Sequence, residues 1–155
     1  MDYCLREAKS EDLSGVLAVY RDAGLESRGG LALDEAQAVF AKMKGYPNYK
    51  VYVAECDGLI VGTFALLVMD NLANSGRPSG IVEDVAVAKT YQGKGIGKAM
   101  MKYAGEECRR HGCYKMVLSS NERRTATHKF YESLGFSRHG FSFGMEFEQG
   151  SKERK

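Results

Sequence analysis

Hydrophobic positions recur along this chain with two periods, and the switches between them mark its elements. Tyr3 to Ala8 is a short run of edge-strand character. Ser10-Glu11-Asp12 then supplies an N-cap and an acidic first turn for a helix over Leu13 to Ala23, with Leu13, Val16, Leu17 and Tyr20 on one face. A Gly29-Gly30 break precedes a second amphipathic segment from Leu33 to Lys44, which carries Ala36, Phe40 and Met43 at helical spacing and ends at Gly45 and Pro47. Lys50 to Glu55 and Leu59 to Met69 are rich in Val, Ile, Tyr and Phe and flank Cys56-Asp57-Gly58, which predicts a β-hairpin with an Asp-Gly turn.

Past a polar loop from Asn71 to Gly80, the pattern predicts a strand over Ile81 to Val87, a helix over Gly97 to His111, a strand over Lys115 to Ser119 and a helix over Thr125 to Leu134. Alternating aromatics from Phe141 to Phe147 predict a terminal strand, whose edge would suit pairing between two copies in a homodimer. The order β-α-α-β-β-β-α-β-α-β implies an α+β fold, a mixed and mostly antiparallel sheet with helices on its faces. Residues 1–150 are expected to form a single domain and the charged run Ser151 to Lys155 a frayed tail.

Composition narrows the class. A chain of 155 residues with 44% hydrophobic content can build a core without disulfides or a structural metal. The formal charge of +2, with Lys and Arg spread along the sequence, gives no clustered basic face, so nucleic acid is not an expected partner. Cys4, Cys56, Cys108 and Cys113 contain no C-x-x-C pair, so neither a metal site nor a disulfide framework is indicated and reduced thiols are expected. The charged N-terminus is unlike a signal peptide and no stretch reaches about 18 apolar residues, so no membrane association and a cytoplasmic location are expected.

The distinctive chemistry lies at a strand-to-helix junction. Tyr91-Gln92-Gly93-Lys94-Gly95-Ile96-Gly97-Lys98 places several backbone N–H groups at the positive end of a helix dipole. Glycines at 93, 95 and 97 remove Cβ atoms that would hold phosphate oxygens off, and Lys94 and Lys98 add positive charge. Glycine spacing alone leaves plain packing as an equal reading. A Walker-type phosphate loop is excluded because Ala99 follows Lys98 where a Ser or Thr is needed, and the context of a dinucleotide fingerprint is missing.

Gln92-x-x-Gly95-x-Gly97, preceded by Glu83-Asp84-Val85-Ala86-Val87, resembles the acetyl-CoA signature of the GCN5-related N-acetyltransferase (GNAT) superfamily. A second block, Asn121 and Ala126 followed by Lys129-Phe130-Tyr131-Glu132-Ser133-Leu134-Gly135-Phe136, is similar to that family's later motif. The resemblance covers Gly80 to Phe136 and extends by element order to most of the chain. It implies a GNAT-type fold and acetyl-CoA as co-substrate, held by Gln92, Gly93, Lys94, Gly95, Ile96, Gly97 and Lys98 and by the backbone of Val85, Ala86 and Val87. It also implies a Tyr131 hydroxyl directed at the thioester sulfur and Asn121 against the cofactor arm.

The reaction requires more. An amine with a pKa of about 10.4 is almost wholly protonated near neutrality, so a base or water relay must remove a proton. Glu83 is the candidate, because strand alternation puts it on the same side as Ile81, Val85 and Val87; the structural alternative is that Glu83 or Asp84 pairs with a nearby cation or caps a turn. A hydroxyl that protonates the departing thiolate is expected of Tyr131, although a lone helical Tyr is more often a core residue.

The acceptor is less determined. Gly80-x-x-Glu83-Asp84-Val85 resembles glucosamine-phosphate acetyltransferases, whereas Leu118 to Tyr131 is closer to aminoalkylphosphonate and aminoglycoside acetyltransferases. Arg77, Arg123, Arg124 and His139 are either oxyanion ligands or solvated loop charges. A small-molecule amine is the expected acceptor; a protein acceptor, an acyl-CoA sensor without catalysis and a nucleotide-binding module are the alternatives.

Overall fold

The computed structural model describes residues 2–26 and 29–147. The chain folds as two compact units, residues 1–118 and 119–155. In the first, β1 (Cys4–Glu7), β2 (Tyr49–Cys56), β3 (Leu59–Met69), β4 (Ser79–Val87) and β5 (Lys115–Leu118) form one sheet in that order. The first three pairings are antiparallel and β4–β5 is parallel, reached through a crossover containing α3 (Ile96–Arg110). Helices α1 (Leu13–Ala23) and α2 (Leu33–Met43) also belong to this unit. Each element lies within two residues of its expected bounds, because helical and strand periods are local signals.

The sheet is covered on both faces, as the buried runs of β2 and β3 require. On one face Val51, Val53 and Ala65 pack with Ala8, Leu13, Val16 and Phe40, flanked by Tyr20, Met43 and Tyr49. On the other, Tyr52 and Phe64 stack at 5.1 Å and Tyr103 of α3 closes on Tyr52 at 5.4 Å. Two glycines let α3 approach. A Cβ on Gly62 would lie 2.9 Å from the Met100 sulfur, and one on Gly80 2.3 Å from Cys108 Sγ. Asp57 and Gly58 both adopt positive φ (50° and 77°), the conformation that a two-residue Asp-Gly hairpin turn demands.

A charged cluster fastens β1, β2 and the entry to α1. Arg6 meets Asp12 through two bonds of 2.7 and 2.9 Å and Glu55 Oε2 at 2.6 Å, while the Lys9 N–H donates to Asp12 at 2.7 Å. Asp12 is only 7% exposed, so this fork substitutes for the water the carboxylate has lost.

The second unit holds α4 (Thr125–Ser133), which ends with Leu134, Gly135 and Phe136 folding their N–H groups back onto its last turn. The expected terminal strand is not formed: residues 141–147 carry no strand, and Phe141, Phe143 and Phe147 are 92%, 93% and 83% exposed. Alternation states which side chains could share a face, but a strand exists only where a ladder partner takes its backbone groups, and none does so among the described residues. The edge on which the homodimer expectation rested is therefore not formed among the described residues. The expected tail, residues 151–155, lies outside the described residues.

Arg6 holds the Asp12 carboxyl below the usual carboxylate range, principally through the side-chain hydrogen bonds. A depressed folded-state pKa contributes stability that is present above the unfolded pKa and lost as pH falls through the folded one. Asp12→Asn should cost about 1–3 kcal/mol at neutral pH. Urea unfolding should also show a shallower loss of stability on acidification than in the parent.

Candidate active site

The central feature is a break in β4. Ala65 opposes Glu83 and Thr63 opposes Ala86, so the single residue Phe64 faces both Asp84 and Val85. Asp84 has φ 53°, the left-handed first position of a bulge where glycine is usual. The extra residue changes which side each later residue occupies. Glu83 shares the α1/α2 face with Ile81, Thr63 and Ala65, as alternation predicted up to that point. Val87, opposite Gly62, falls on the α3 face, contrary to the expectation that it shares a side with Glu83.

The bulge coincides with a loss of pairing. The parallel ladder runs from Ser79↔Lys115 to Val82↔Leu118 and stops, so Glu83 to Val87 are paired on the β3 side alone. Among the described residues no strand pairs with β4 on that side beyond Val82, so the backbone groups of this segment that point away from β3 are available on one edge. The Val87 carbonyl is an exception: Gln92 Nε2 donates to it at 3.0 Å. Gln92 thereby ties the turn to the end of the strand, a role its motif position did not reveal.

Glu83 and Asp84 are exposed, and neither has a salt-bridge or hydrogen-bond partner among the described residues. The ion pair that was the structural alternative for Glu83 is thus not formed among those residues. Desolvation raises the pKa of both carboxyls, and the Asp84 charge raises that of Glu83 further. Tyr20 of α1 and Tyr49 of β2 face this pair. Burial raises both phenols' pKa values, the Asp84 charge adds to each, and Glu83 adds to Tyr49. The Asp84 bulge and the two tyrosines had no sequence signal beyond the Glu-Asp pair itself and a helical face that already explained Tyr20 as core.

The glycine-rich turn follows. Lys89 N–H donates to the Asp22 carboxylate near the end of α1, and Tyr91 and Gln92 fold onto the Ala88 and Lys89 carbonyls. Gly93 and Gly95 have φ 74° and 86°, and space is open where their Cβ atoms would stand. The first hydrogen bond of α3 is Ala99 N–H to the Gly95 carbonyl. The N–H groups of Gly93, Lys94, Gly95, Ile96, Gly97 and Lys98 have no protein acceptor among the described residues, and the first turn carries neither a side-chain cap nor an acid. Lys94 lies with Nζ 4.9 Å from the Tyr91 ring centre, and Lys98 is exposed. Ile96 is buried, so its side chain anchors the turn and only its backbone faces outward.

In the second unit, Asn121 Oδ1 accepts the Arg123 N–H at 2.9 Å, and the Asn121 carbonyl accepts from His128 Nε2 at 2.9 Å and Arg124 N–H at 3.0 Å. Asn121 thus shapes the entry to α4. The half-buried Tyr131 ring packs between Phe130 and Phe136 at 5.2 and 5.5 Å. Burial raises its hydroxyl pKa, with Arg124 pulling the other way. Arg77 is a structural clamp: its guanidinium donates to the Gly112 and Cys113 carbonyls at 3.5 and 3.2 Å. Among the described residues no group of His, Cys, Asp and Glu could hold a metal, and no helix is long and apolar enough to cross a membrane. A cleft of about 250 Å³ on β1 and the β2–β3 turn includes none of the residues expected to act, and its Arg6 is already engaged by Asp12 and Glu55.

The chain is similar to known proteins over much of its length. The model of the acetyltransferase (GNAT) domain matches residues 47–138. Glucosamine 6-phosphate N-acetyltransferase of Trypanosoma brucei brucei is 40% identical over 90 residues, 58% of this chain and 59% of that protein, so the chain spans about three fifths of this relative's length. Aminoalkylphosphonate N-acetyltransferase of Salmonella typhimurium is 27% identical over 139 residues, 90% of this chain and 88% of the relative. The crystal structure of a Trypanosoma brucei acetyltransferase superposes with a TM-score of 0.81 at 32% identity, covering 94% of this chain and all of that one (100%). With the family model spanning well over half of its length, the chain belongs to the GNAT acetyltransferase family.

Proposed function

We propose that this chain transfers the acetyl group of acetyl-CoA to the primary amine of a small molecule, and that residues 1–150 act together as one acetyltransferase domain. The observation that carries the reading is the open turn ahead of α3, whose amides from Gly93 to Lys98 have no protein partner among the described residues. A pyrophosphate fits that surface. It would take up orphan N–H groups at the positive end of the α3 dipole, with Lys94 and Lys98 adding charge and the open space at Gly93 and Gly95 admitting its oxygens. The one-sided edge of β4 from Val85 to Val87 suits an extended arm that hydrogen-bonds like a strand.

Acetyl-CoA supplies an acyl group already activated as a thioester. Glu83 removes the proton from the acceptor ammonium. Its raised pKa keeps it basic enough for that task while leaving it ionised above its own titration. Tyr131 donates its hydroxyl proton to the departing sulfur, a role suited to a phenol that burial keeps protonated through neutrality. Relatives named for glucosamine 6-phosphate and for aminoalkylphosphonates support an acceptor that joins a primary amine to a phosphate or phosphonate.

Thiol release from acetyl-CoA across aminosugar phosphates, aminophosphonates, polyamines, aminoglycosides and lysine peptides tests the reading. Release with a phosphorylated or phosphonate amine supports it; release with lysine peptides alone would replace the acceptor class. With the best amine, Tyr131→Phe should leave acetyl-CoA affinity unchanged and lower turnover about 100-fold or more. Equal turnover would remove Tyr131 from the chemistry.

Because activity needs ionised Glu83, kcat/KM should rise with pH through that residue's raised pKa and level off above it. Glu83→Gln should abolish this limb and recover activity only where the amine itself deprotonates. A variant whose acid limb stays in place would return Glu83 to a structural role.

A further inference from the structure

Two of the four cysteines meet at the end of α3. The helix closes with His111 N–H on the Glu107 carbonyl, Gly112 N–H on Arg109 and Cys113 N–H on Cys108, the last at 3.0 Å, with Gly112 at φ 71°. That closing bond spans five residues and folds Cys113 back over Cys108, bringing the two residues together across the helix end. Both are free thiols.

Neighbouring groups fix the pair in place. Cys108 is 5% exposed, and its sulfur sits over Gly80 of β4, where a Cβ would be 2.3 Å away. Cys113 is half-exposed, and its carbonyl is held by Arg77 Nη2 at 3.2 Å, while Tyr114 N–H reaches the Pro78 carbonyl at 3.0 Å. A disulfide needs two cysteines close in space, and the 3.0 Å bond from the Cys113 N–H to the Cys108 carbonyl brings these two backbones together.

We propose that Cys108 and Cys113 form a redox modification site, closing to an intramolecular disulfide when the protein meets a small disulfide oxidant such as oxidised glutathione. Cys113, the accessible partner, attacks as a thiolate on one sulfur of the oxidant and releases one molecule of small thiol. Cys108 then gives up its proton to solvent and attacks the Cys113 sulfur, expelling the second small thiol. Two protein thiols are oxidised and one small disulfide is reduced to two thiols. Burial, followed by the Cys113 charge, pushes the Cys108 thiol up to about 12, so first contact with oxidant falls to Cys113 and the intramolecular step is the slower one, helped by the closeness of the pair. The bridge would tie the α3 terminus to the residue two before β5, while Cys4 and Cys56 take no part.

The full chain should be treated with oxidised glutathione, quenched in acid and examined by thiol titration under denaturing conditions, intact mass and non-reducing peptide mapping. The expected result is loss of two of the four thiols, a mass lower by two hydrogens, and one cross-linked species joining Cys108 to Cys113, all reversed by dithiothreitol. Cys56→Ala should behave like the parent, and Cys113→Ser should lose no pair of thiols. A stable glutathione adduct on Cys113, four thiols still titratable, or a bridge involving Cys4 or Cys56 would overturn the proposal. The readout is independent of acetyl transfer, so an inactive chain would leave this result standing.

Discussion

A backbone amide that is not paired within the protein must find another partner, and two consecutive stretches of this chain present such groups. After Val82 the parallel ladder to β5 ends while β4 continues to Val87. Immediately beyond, the turn from Gly93 to Lys98 leaves its N–H groups without protein acceptors among the described residues. One stretch is an extended edge and the other a helix terminus, so together they suit a ligand with an amide-bearing arm and an anionic end.

The bulge at Asp84 governs what accompanies that surface. By adding one residue to β4 it leaves Glu83 on the α1/α2 face near Tyr49, and it turns Val87 toward α3. A non-glycine residue at positive φ in a strand costs of order 1 kcal/mol or more, so surrounding packing must hold it. Opposite the far side of the bulge, the Thr63 hydroxyl is fully buried and donates to the Tyr52 carbonyl at 2.9 Å one strand away. Gln92 and Asp22 secure the other side, tying the turn to Val87 and to α1.

Most element bounds were legible in the sequence because they rest on short periods: Leu13, Val16, Leu17 and Tyr20 for α1, and the Asp57-Gly58 turn for the β2–β3 hairpin. The turn from Gly93 to Lys98 was legible as a glycine-rich entry to α3, since glycine position and helix entry are local. Asp84 was not, because alternation extrapolates a strand through a bulge that only pairing with β3 creates. Arg77 read as an oxyanion ligand or loop charge until tertiary contact put two carbonyls on its guanidinium. Phe141 to Phe147 failed in the opposite sense, showing strand-like alternation without a ladder. Cys108 and Cys113, five apart with no metal-like spacing, gave no hint of meeting across a helix end.

Amide hydrogen exchange, measured residue by residue with and without acetyl-CoA, tests most directly whether these open groups are the cofactor surface. Slowed exchange is expected at the Gly93 to Lys98 amides and along Val85 to Val87, with β1 and β2 unchanged and little protection from ATP at the same concentration. Protection located elsewhere, or equal protection by ATP, would contradict it.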